Sequence, residues 1–221
     1  MGSNDRISRH KELTRHNILE AALHLGKSYG WQNLSMRKVA EAIEYTAPII
    51  YEYFASKEDL LRELARQGFI LLIGKLTEAK SNTANPKAQL ESMMIAYWNF
   101  AFAERTYYQI MFGIDFTCSD LKNSLPEADS TALLFLDIIS DILNLAESSS
   151  ELVLKHYYSF WSILHGLIAI NLIQKDMPNK FSGLMLKEAV TVMMEMLNSP
   201  ELLFNKSETK LARTTITKTL D

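Results

Sequence analysis

Three helix-start signals follow one another closely between Leu34 and Leu60. Each consists of an apolar or aromatic residue, a hydroxyl residue that can cap a helix, and an apolar residue four positions after the cap. The three sets are Leu34, Ser35 and Val39, then Tyr45, Thr46 and Ile50, then Ala55, Ser56 and Leu60. This spacing predicts two short helices joined by a three-residue turn, followed by the start of a third. Such a pair is typical of a helix-turn-helix, whose second helix enters the major groove of DNA.

A further helix is predicted before this pair. Thr14 can cap it, and apolar side chains recur at helical spacing up to Gly30, which is suited to end it. Together the helices predict a small shared core that consists of Ile18, Ala22, Val39, Ile43, Ile50, Tyr53 and Phe54.

The rest of the chain also favours helices. Only 8 Gly and 5 Pro occur in 221 residues, and alternating apolar runs are few. A long helix is predicted from Lys57 to about residue 80 without a flexible linker before it. Further helices are predicted at about 86–103, 104–112, 128–146, 150–175 and 181–197, with an irregular stretch at 113–127. The fold class is therefore all-α, with about nine to ten helices.

Several short motifs resemble the signature of the tetracycline-repressor-like (TetR) family. They are Ile18-Leu19-Glu20-Ala21-Ala22, the Gly30 break, Val39-Ala40, Tyr51-Glu52-Tyr53-Phe54 and Ser56-Lys57-Glu58-Asp59-Leu60, in the family's order and spacing. The resemblance implies a homodimer with a DNA-binding domain at 14–62. It also implies that the long fourth helix joins this domain to a larger effector-binding and dimerisation domain at 63–200. A basic arm at 1–13 and a tail at 201–221, which can form a short helix, complete the predicted organisation.

The resemblance and the residue chemistry together predict the DNA-binding side chains. Lys57 and Tyr51 match family residues that meet the DNA backbone, although Lys57 can also be read as an ordinary solvated lysine. Ser35 and Arg37 are further phosphate candidates, and the start of the second helix of the pair faces base edges. The full predicted set is Ser35, Arg37, Tyr45, Thr46, Ala47, Pro48, Ile49, Tyr51 and Lys57.

Glu44 departs from the family pattern, which usually has glycine in this turn because the backbone tends to need a positive φ. A non-glycine residue costs on the order of 1–2 kcal/mol there. The reading residues Ala47, Pro48 and Ile49 are apolar and can contact thymine methyls but not guanine edges. These features predict readout that favours A·T pairs and DNA shape.

Charge is unevenly distributed along the chain. The net charge is −3, but residues 1–62 hold nine Lys or Arg against eight Asp or Glu, whereas the remainder holds 14 against 18. Basic side chains concentrate at the beginning, in Arg6, Arg9, Lys11 and Arg15. An arm of this kind can lie along phosphates or enter a minor groove, and an ordinary solvated leader is an equal alternative.

Two C-terminal segments resemble a known subtype of the family's effector domain: Tyr107–Gly113 and the W-x-x-x-H-G motif at Trp161–Gly166. The region between Met93 and Met196 is rich in methionine and aromatic residues, which can line an adaptable apolar pocket but also serve as ordinary core. We expect a small apolar or aromatic effector to contact Trp98, Tyr107, Met111, Phe112, Phe135 and Trp161.

The last two predicted long helices are the candidates for a homodimer interface, because the resembling family packs the corresponding pair as a four-helix bundle. A two-fold interface also fits a palindromic operator. The predicted interface residues are Val153, Tyr157, Phe160, Leu164, Ile168, Val190, Met194 and Leu197.

An enzyme is not expected, since no phosphate loop, zinc pattern or catalytic triad order is visible. His165 has no second ligand at metal-binding spacing, so neither a metal nor a cofactor is predicted. A single cysteine, Cys118, and the lack of a signal-peptide or membrane-spanning pattern predict a cytoplasmic protein without a membrane partner.

These observations lead to two hypotheses. The first is a ligand-responsive transcriptional regulator, a repressor released from a palindromic operator on double-stranded DNA when an effector binds. The alternative is a helical sensor or partner-binding protein of the same fold with weak or absent specific DNA binding.

Overall fold

A computed structural model describes residues 3–113, 125–173 and 179–198. Within these ranges every regular element is a helix, as the sequence predicts. The α-helices are α1 (Ser3–Tyr29), α2 (Met36–Ala42), α3 (Ala47–Tyr51), α4 (Lys57–Ser81), α5 (Pro86–Ala103), α6 (Arg105–Phe112), α7 (Pro126–Leu143), α8 (Glu151–Ile173) and α9 (Asn179–Asn198). The predicted tail at 201–221, Cys118 and most of the irregular stretch at 113–127 lie outside the described residues.

Helix α1 is longer than the sequence indicates. It begins at Ser3, so the prediction that Thr14 caps it is wrong, and Thr14 lies buried inside the helix. The reason is local: residues 3–13 contain no Gly or Pro, Asp5 stands in the first turn, and Arg9 Nε donates to the Asp5 carbonyl at 3.2 Å. From Ser3 onward, the basic side chains of the predicted arm are therefore carried on a helix.

The end of α1 follows the prediction. Gly30 adopts φ 78° and its N–H donates to the Gly26 carbonyl at 2.9 Å. A short 3-10 helix, Trp31–Asn33, follows, and its Trp31 ring packs directly on Gly26, where a β-carbon would lie 2.5 Å from the ring. Gly26 is thus needed for close packing and Gly30 for backbone conformation.

Two of the three predicted caps form. Ser35 Oγ accepts from the Lys38 N–H at 3.3 Å, and Ser56 Oγ accepts from the Asp59 N–H at 3.1 Å. Asp59 reaches back to the Ala55 N–H at 3.2 Å, which ties down the start of α4. Thr46 occupies the cap position of α3 with extended backbone but makes no capping hydrogen bond through its side chain.

The turn between α2 and α3 contains the predicted strain. Glu44 has φ 60°, in the left-handed region. The Tyr45 N–H donates to the Ala40 carbonyl at 2.9 Å and the Glu44 N–H to the Glu41 carbonyl at 3.3 Å. This pair of bonds is the Schellman motif that normally has glycine at the left-handed position. The bonds satisfy the last carbonyls of α2 and hold Glu44 in a conformation that its side chain disfavours.

The chain divides into two compact units. Unit 1 comprises Met1–Glu78 and Ala96–Leu134, and unit 2 comprises Ala79–Ile95 and Phe135–Asp221. In unit 1 the helix-turn-helix encloses most of its predicted core: Ile18, Ala22, Val39, Ile50 and Phe54 are buried, whereas Ile43 and Tyr53 are half-buried. Unit 2 has its own apolar interior on α7, α8 and α9, with Phe135 and Phe160 in ring contact at 5.1 Å.

Candidate DNA-binding surface and ligand cavity

Helix α3 separates a buried face from an exposed one. Ile50 is fully buried, whereas the Tyr51 side chain is 52% exposed. The remaining predicted reading residues are exposed or half-buried: Tyr45, Thr46, Ala47, Pro48 and Ile49. The core of unit 1 therefore holds α3 through one side and leaves the predicted reading residues accessible.

Two lysines connect α2 and α4 to the 3-10 helix through hydrogen bonds. Lys57 Nζ donates to the Trp31 carbonyl at 3.2 Å, and Lys38 Nζ donates to the Asn33 carbonyl at 2.8 Å. An ammonium group has three N–H donors, so a bond to one carbonyl leaves Lys57 able to donate to a phosphate as well. Its contact with Trp31 positions the group at the start of α4, where the helix dipole also favours an anion.

Arg37 and Ser35, the other phosphate candidates, already have partners within the protein. Arg37 Nε donates to Glu41 Oε1 at 2.8 Å in an ion pair whose side chains are 84% and 61% exposed. Such an exposed pair contributes little to stability and exchanges readily for a phosphate. The Ser35 hydroxyl is occupied as the cap of α2.

A polar network, the Glu63 cluster, joins three helices of unit 1. It consists of Arg15 from α1, Glu63 and Arg66 from α4, and Glu127 from the first turn of α7. Arg66 donates two hydrogen bonds of 2.9 Å to the Glu63 carboxylate. Arg15 forms an ion pair with Glu63 Oε2 at 3.3 Å, and Arg66 Nη1 forms one with Glu127 Oε1 at 3.4 Å. The Glu63 side chain is only 13% exposed, so the paired guanidinium groups compensate its burial.

The electrostatics of the cluster follow from these contacts. Burial opposes ionisation of Glu63, but hydrogen bonds from Arg66 and Arg15 outweigh it and hold the pKa of this carboxyl below its ordinary value of 4.5. The Arg15 guanidinium also lies 4.9 Å from the centre of the Phe54 ring, in the helix-turn-helix core. The cluster thus connects the first turn of α7 with the packing of the DNA-binding helices.

The predicted effector residues lie in both units. Trp98, Tyr107, Met111 and Phe112 belong to unit 1, whereas Phe135 and Trp161 belong to unit 2. In unit 1, Phe112 joins the rings of Phe69, Tyr97 and Tyr108 at 5.5, 6.2 and 5.1 Å. In unit 2, Trp161 contacts the rings of Tyr157 and His165 at 5.6 and 4.2 Å. These contacts give several of the predicted residues packing roles.

A small cavity of about 10 Å³ occurs in unit 2, between α5, α7, α8 and α9. We call it the His156 cavity. Its polar lining is His156 and Ser159, and its apolar lining is Leu90, Ile139, Phe160, Met193, Met196 and Leu197. None of the six predicted effector residues lines it, although Phe135 packs directly on Phe160.

His156 is the functional candidate that the sequence reasoning missed. The residue is 4% exposed, and its Nε2 has no hydrogen-bond partner among the described residues. Burial, with a contribution from Lys155, lowers its pKa from the ordinary value of 6.5, so the ring is neutral at pH 7. The available signal was its position: His156 follows Val153 by three residues and precedes Phe160 by four, which places a polar ring on the apolar face of α8.

Most of the predicted dimer residues face the interior of unit 2. Seven are buried within the single chain: Val153, Tyr157, Phe160, Leu164, Ile168, Val190 and Leu197; Met194 is half-buried. The apolar pattern used for the prediction therefore identifies core positions first. The exposed large apolar side chains of α8 and α9 are different ones: Tyr158, Ile170, Ile173, Leu184 and Val192.

Two other features, a metal centre and a membrane-spanning helix, are absent from the described ranges. No group of three or more His, Cys, Asp or Glu side chains there could hold a metal ion. Likewise, none of the helices in the described part has the length and apolar composition needed to cross a membrane.

Comparison with known proteins agrees with this geometry. Residues 18–64 match the family described as bacterial regulatory proteins, tetR family, and residues 90–179 match the tetracyclin repressor-like C-terminal domain. The HTH-type transcriptional repressor KstR2 of Mycobacterium tuberculosis is 26% identical over 107 residues, which cover 48% of this chain and 52% of that protein. The chain thus spans about half the length of this relative.

Two further proteins resemble the chain over a larger part. The uncharacterized HTH-type transcriptional regulator Rv0681 of M. tuberculosis is 25% identical over 166 residues, 75% of this chain and 73% of that protein. The crystal structure of a tetR-family transcriptional regulator from Streptomyces coelicolor superposes with a TM-score of 0.64 at 18% identity, covering 92% of this chain and 91% of the other. The two family matches together span more than half of the sequence and include the helix-turn-helix. The chain belongs to the TetR family of bacterial regulatory proteins.

Proposed function

We propose that this protein is a DNA-binding transcriptional regulator, most simply a repressor, that acts as a homodimer on a palindromic site. The observation that carries the proposal is the exposed face of α3, whose opposite side is buried in the core through Ile50. We expect Tyr51, which is exposed, and Lys57, at the start of α4, to contact the phosphate backbone. The protein is not proposed to be an enzyme, and a DNA-binding role implies a cytoplasmic location.

The reading surface supports a particular kind of site. Thr46, Ala47, Pro48 and Ile49 present a hydroxyl and apolar groups, which suit thymine methyls. Glu44, in the turn between α2 and α3, is exposed and negative, which disfavours close approach to phosphates there. We therefore propose half-sites rich in A·T pairs, with the backbone contacts supplying most of the affinity.

The exposed face of α8 supports the homodimer. Tyr158, Ala169 and Ile173 are exposed on this face, and Ile173 is 79% exposed. Gly166 lies between them, and a β-carbon added there would meet no other atom within 4 Å. A small residue flanked by apolar ones permits two helices to approach closely. A two-fold contact through this face would pair two recognition helices.

The Glu63 cluster supports a route for regulation within unit 1. Glu127 is carried by α7, and Arg66 and Glu63 by α4, the helix that begins beside α3. Displacing the first turn of α7 would break the Arg66–Glu127 contact and disturb the packing of Arg15 on Phe54. An effector that moves α7 would thereby alter the support of the DNA-binding helices.

Selection of binding sites from a library of random DNA duplexes tests this function. We expect enrichment of a palindrome whose half-sites are rich in A·T pairs and whose centres lie about one or two helical turns apart. Enrichment of G-rich half-sites would contradict the proposed readout. Failure to enrich any sequence, with retention of the all-helical fold, would favour the alternative of a sensor or partner-binding protein of the same fold.

A further inference from the structure

The His156 cavity has one feature that apolar packing does not explain. The Nε2 atom of His156 can form a hydrogen bond, is enclosed by protein and has no hydrogen-bond partner among the described residues. Leaving a buried polar atom unsatisfied is costly, and native proteins rarely do so without an ordered water, an ion or a ligand at the site. Because His156 lines the cavity, a group bound there is the candidate hydrogen-bond partner for this atom.

The chemistry of the cavity restricts that group. The polar lining is a neutral imidazole and the Ser159 hydroxyl, and among the residues that the structure describes no carboxylate, lysine or arginine lines the space. A charged ligand would remain without a counter-ion in an apolar enclosure, which strongly disfavours it. An uncharged hydroxyl fits both polar partners, since it can donate to or accept from either of them.

The walls of the cavity are suited to adapt to a ligand. In this conformation the cavity has room for about one water molecule, which can serve as the partner of His156 in the ligand-free protein. Met193 and Met196 form one wall from α9, and methionine side chains have three rotatable bonds with which to adjust. Rotation of these two side chains would open room for a small ring or alkyl group beside Phe160.

We propose that the His156 cavity binds a small apolar alcohol or phenol, whose hydroxyl hydrogen-bonds to His156 Nε2 and Ser159 and whose apolar body displaces Met193 and Met196. The cavity also borders α7 through Ile139, so such a ligand lies against the helix whose first turn carries Glu127. The role of this ligand as the effector rests on the proposed function, whereas its binding does not.

Binding is tested on the full chain without DNA, using p-cresol, toluene and p-toluate as probes. Nitrogen-15 NMR of the ring nitrogens is practical because the chain has only 5 histidines. We expect p-cresol to shift the His156 ring signals and to bind at least tenfold more tightly than toluene in calorimetry, since only p-cresol forms the buried hydrogen bond. p-Toluate is expected not to bind.

Two variants locate the hydroxyl. His156→Leu is expected to remove the tenfold preference for p-cresol over toluene. His165→Leu, a matched change on the same helix at a ring that does not line the cavity, is expected to keep the preference. If p-cresol and toluene both leave the wild-type His156 signals unshifted at millimolar concentration, the site holds only a water and the proposal is overturned. That result is obtained without any variant, so it does not depend on the variants folding.

The two proposals fail in different ways. Binding of p-cresol by a protein that selects no DNA sequence would refute the DNA-binding function and leave the cavity assignment standing. If the protein selects a palindrome but p-cresol does not shift its His156 signals, the cavity assignment is refuted and the DNA-binding function stands.

Discussion

One buried polar group in each unit shows a different degree of hydrogen bonding: Glu63 of unit 1 is fully paired and His156 of unit 2 is not, although Trp31 Nε1 and Glu127 Oε2 of unit 1 also lack hydrogen-bond partners among the described residues. In unit 1 the Glu63 carboxylate is surrounded by Arg15 and Arg66, with Gln67 adding a bond of 3.3 Å, so both of its oxygens are engaged. In unit 2 the His156 cavity is lined mainly by apolar side chains, and His156 Nε2 has no hydrogen-bond partner among the described residues. The first arrangement holds three helices together, whereas the second leaves a hydrogen-bonding position open for a small molecule.

The first prediction concerns a substitution of Glu63, the buried carboxylate whose two oxygens both have hydrogen-bond partners. Glu63→Gln is expected to destabilise the protein by about 1–2 kcal/mol, because Arg15 and Arg66 lose their shared counter-charge while solvent screens their exposed parts. The measurement is urea-induced unfolding followed by circular dichroism. Glu41→Gln is the matched control: its pair with Arg37 is exposed, and the expected change is below about 0.5 kcal/mol. Equal effects of the two substitutions would show that the Glu63 cluster has no special role.

The second prediction concerns a substitution of His156, whose Nε2 lacks a hydrogen-bond partner among the described residues. His156→Leu is expected to leave the free energy of unfolding at pH 7 unchanged or to raise it by about 1 kcal/mol, because an apolar side chain does not require a hydrogen bond there. The same unfolding experiment measures it. A loss of 2 kcal/mol or more would mean that Nε2 has a partner that contributes to the fold, and the contrast between the units would disappear.

The third prediction separates the two groups by pH. Burial lowers the pKa of His156 below 6.5, so the unfolded chain binds this proton more readily, and stability falls as the pH drops below about 6.5. The lowered pKa of Glu63 affects stability at more acidic pH: its contribution to the free energy of unfolding is lost only as the pH falls below about 4.5. Between pH 6.5 and 5, His156→Leu is expected to reduce the slope by up to about 1.4 kcal/mol per pH unit, whereas Glu63→Gln keeps it. Parallel curves for both variants would exclude His156 as the titrating group.

A fourth prediction concerns the strained turn. Glu44→Gly is expected to stabilise the protein by about 1 kcal/mol, because glycine adopts φ 60° without a steric penalty. Asn144 ends α7 in the same motif, with φ 52° and a Leu145 N–H bond to the Ser140 carbonyl at 3.1 Å, but asparagine tolerates this conformation. Asn144→Gly should therefore gain less than Glu44→Gly in thermal unfolding, and the reverse order would contradict the assignment of strain to Glu44.

A fifth prediction tests the outer face of α8. Gly166→Glu is expected to convert a dimer into a monomer, because two carboxylates would meet at the two-fold contact, while the helix itself gains from replacing glycine. Gly74→Glu on α4 is the control, since a β-carbon at either glycine meets no atom within 4 Å. Light scattering after size-exclusion chromatography gives the mass of each. A Gly166→Glu variant that stays dimeric would move the interface elsewhere.

The sequence predicts best what depends on short-range chemistry. The Ser35 and Ser56 caps, the Gly30 end of α1 and the positive φ at Glu44 all follow from a few neighbouring residues. The early start of α1 was not predicted because Thr14 is a residue type that often caps a helix. The segment before it contains no helix breaker, so the helix continues through Thr14 instead of starting there. The cavity escaped prediction for a different reason: aromatic and methionine residues line pockets and fill cores alike, and only packing decides between them. His156 could have been noticed as the polar residue on an apolar helix face.

The most direct test of the proposed function is the salt dependence of binding to the selected palindrome, measured by fluorescence anisotropy for wild type, Lys57→Met and Lys75→Met. Lys75 lies on α4 about 27 Å from Lys57 by helix rise, so it controls for the change in net charge. The logarithm of the wild-type affinity is expected to fall linearly with the logarithm of the salt concentration. Lys57→Met should reduce that slope by about one, whereas Lys75→Met leaves it unchanged. An affinity that is absent at low salt, or a slope that Lys57→Met does not alter, would contradict the proposed docking of this helix-turn-helix on DNA.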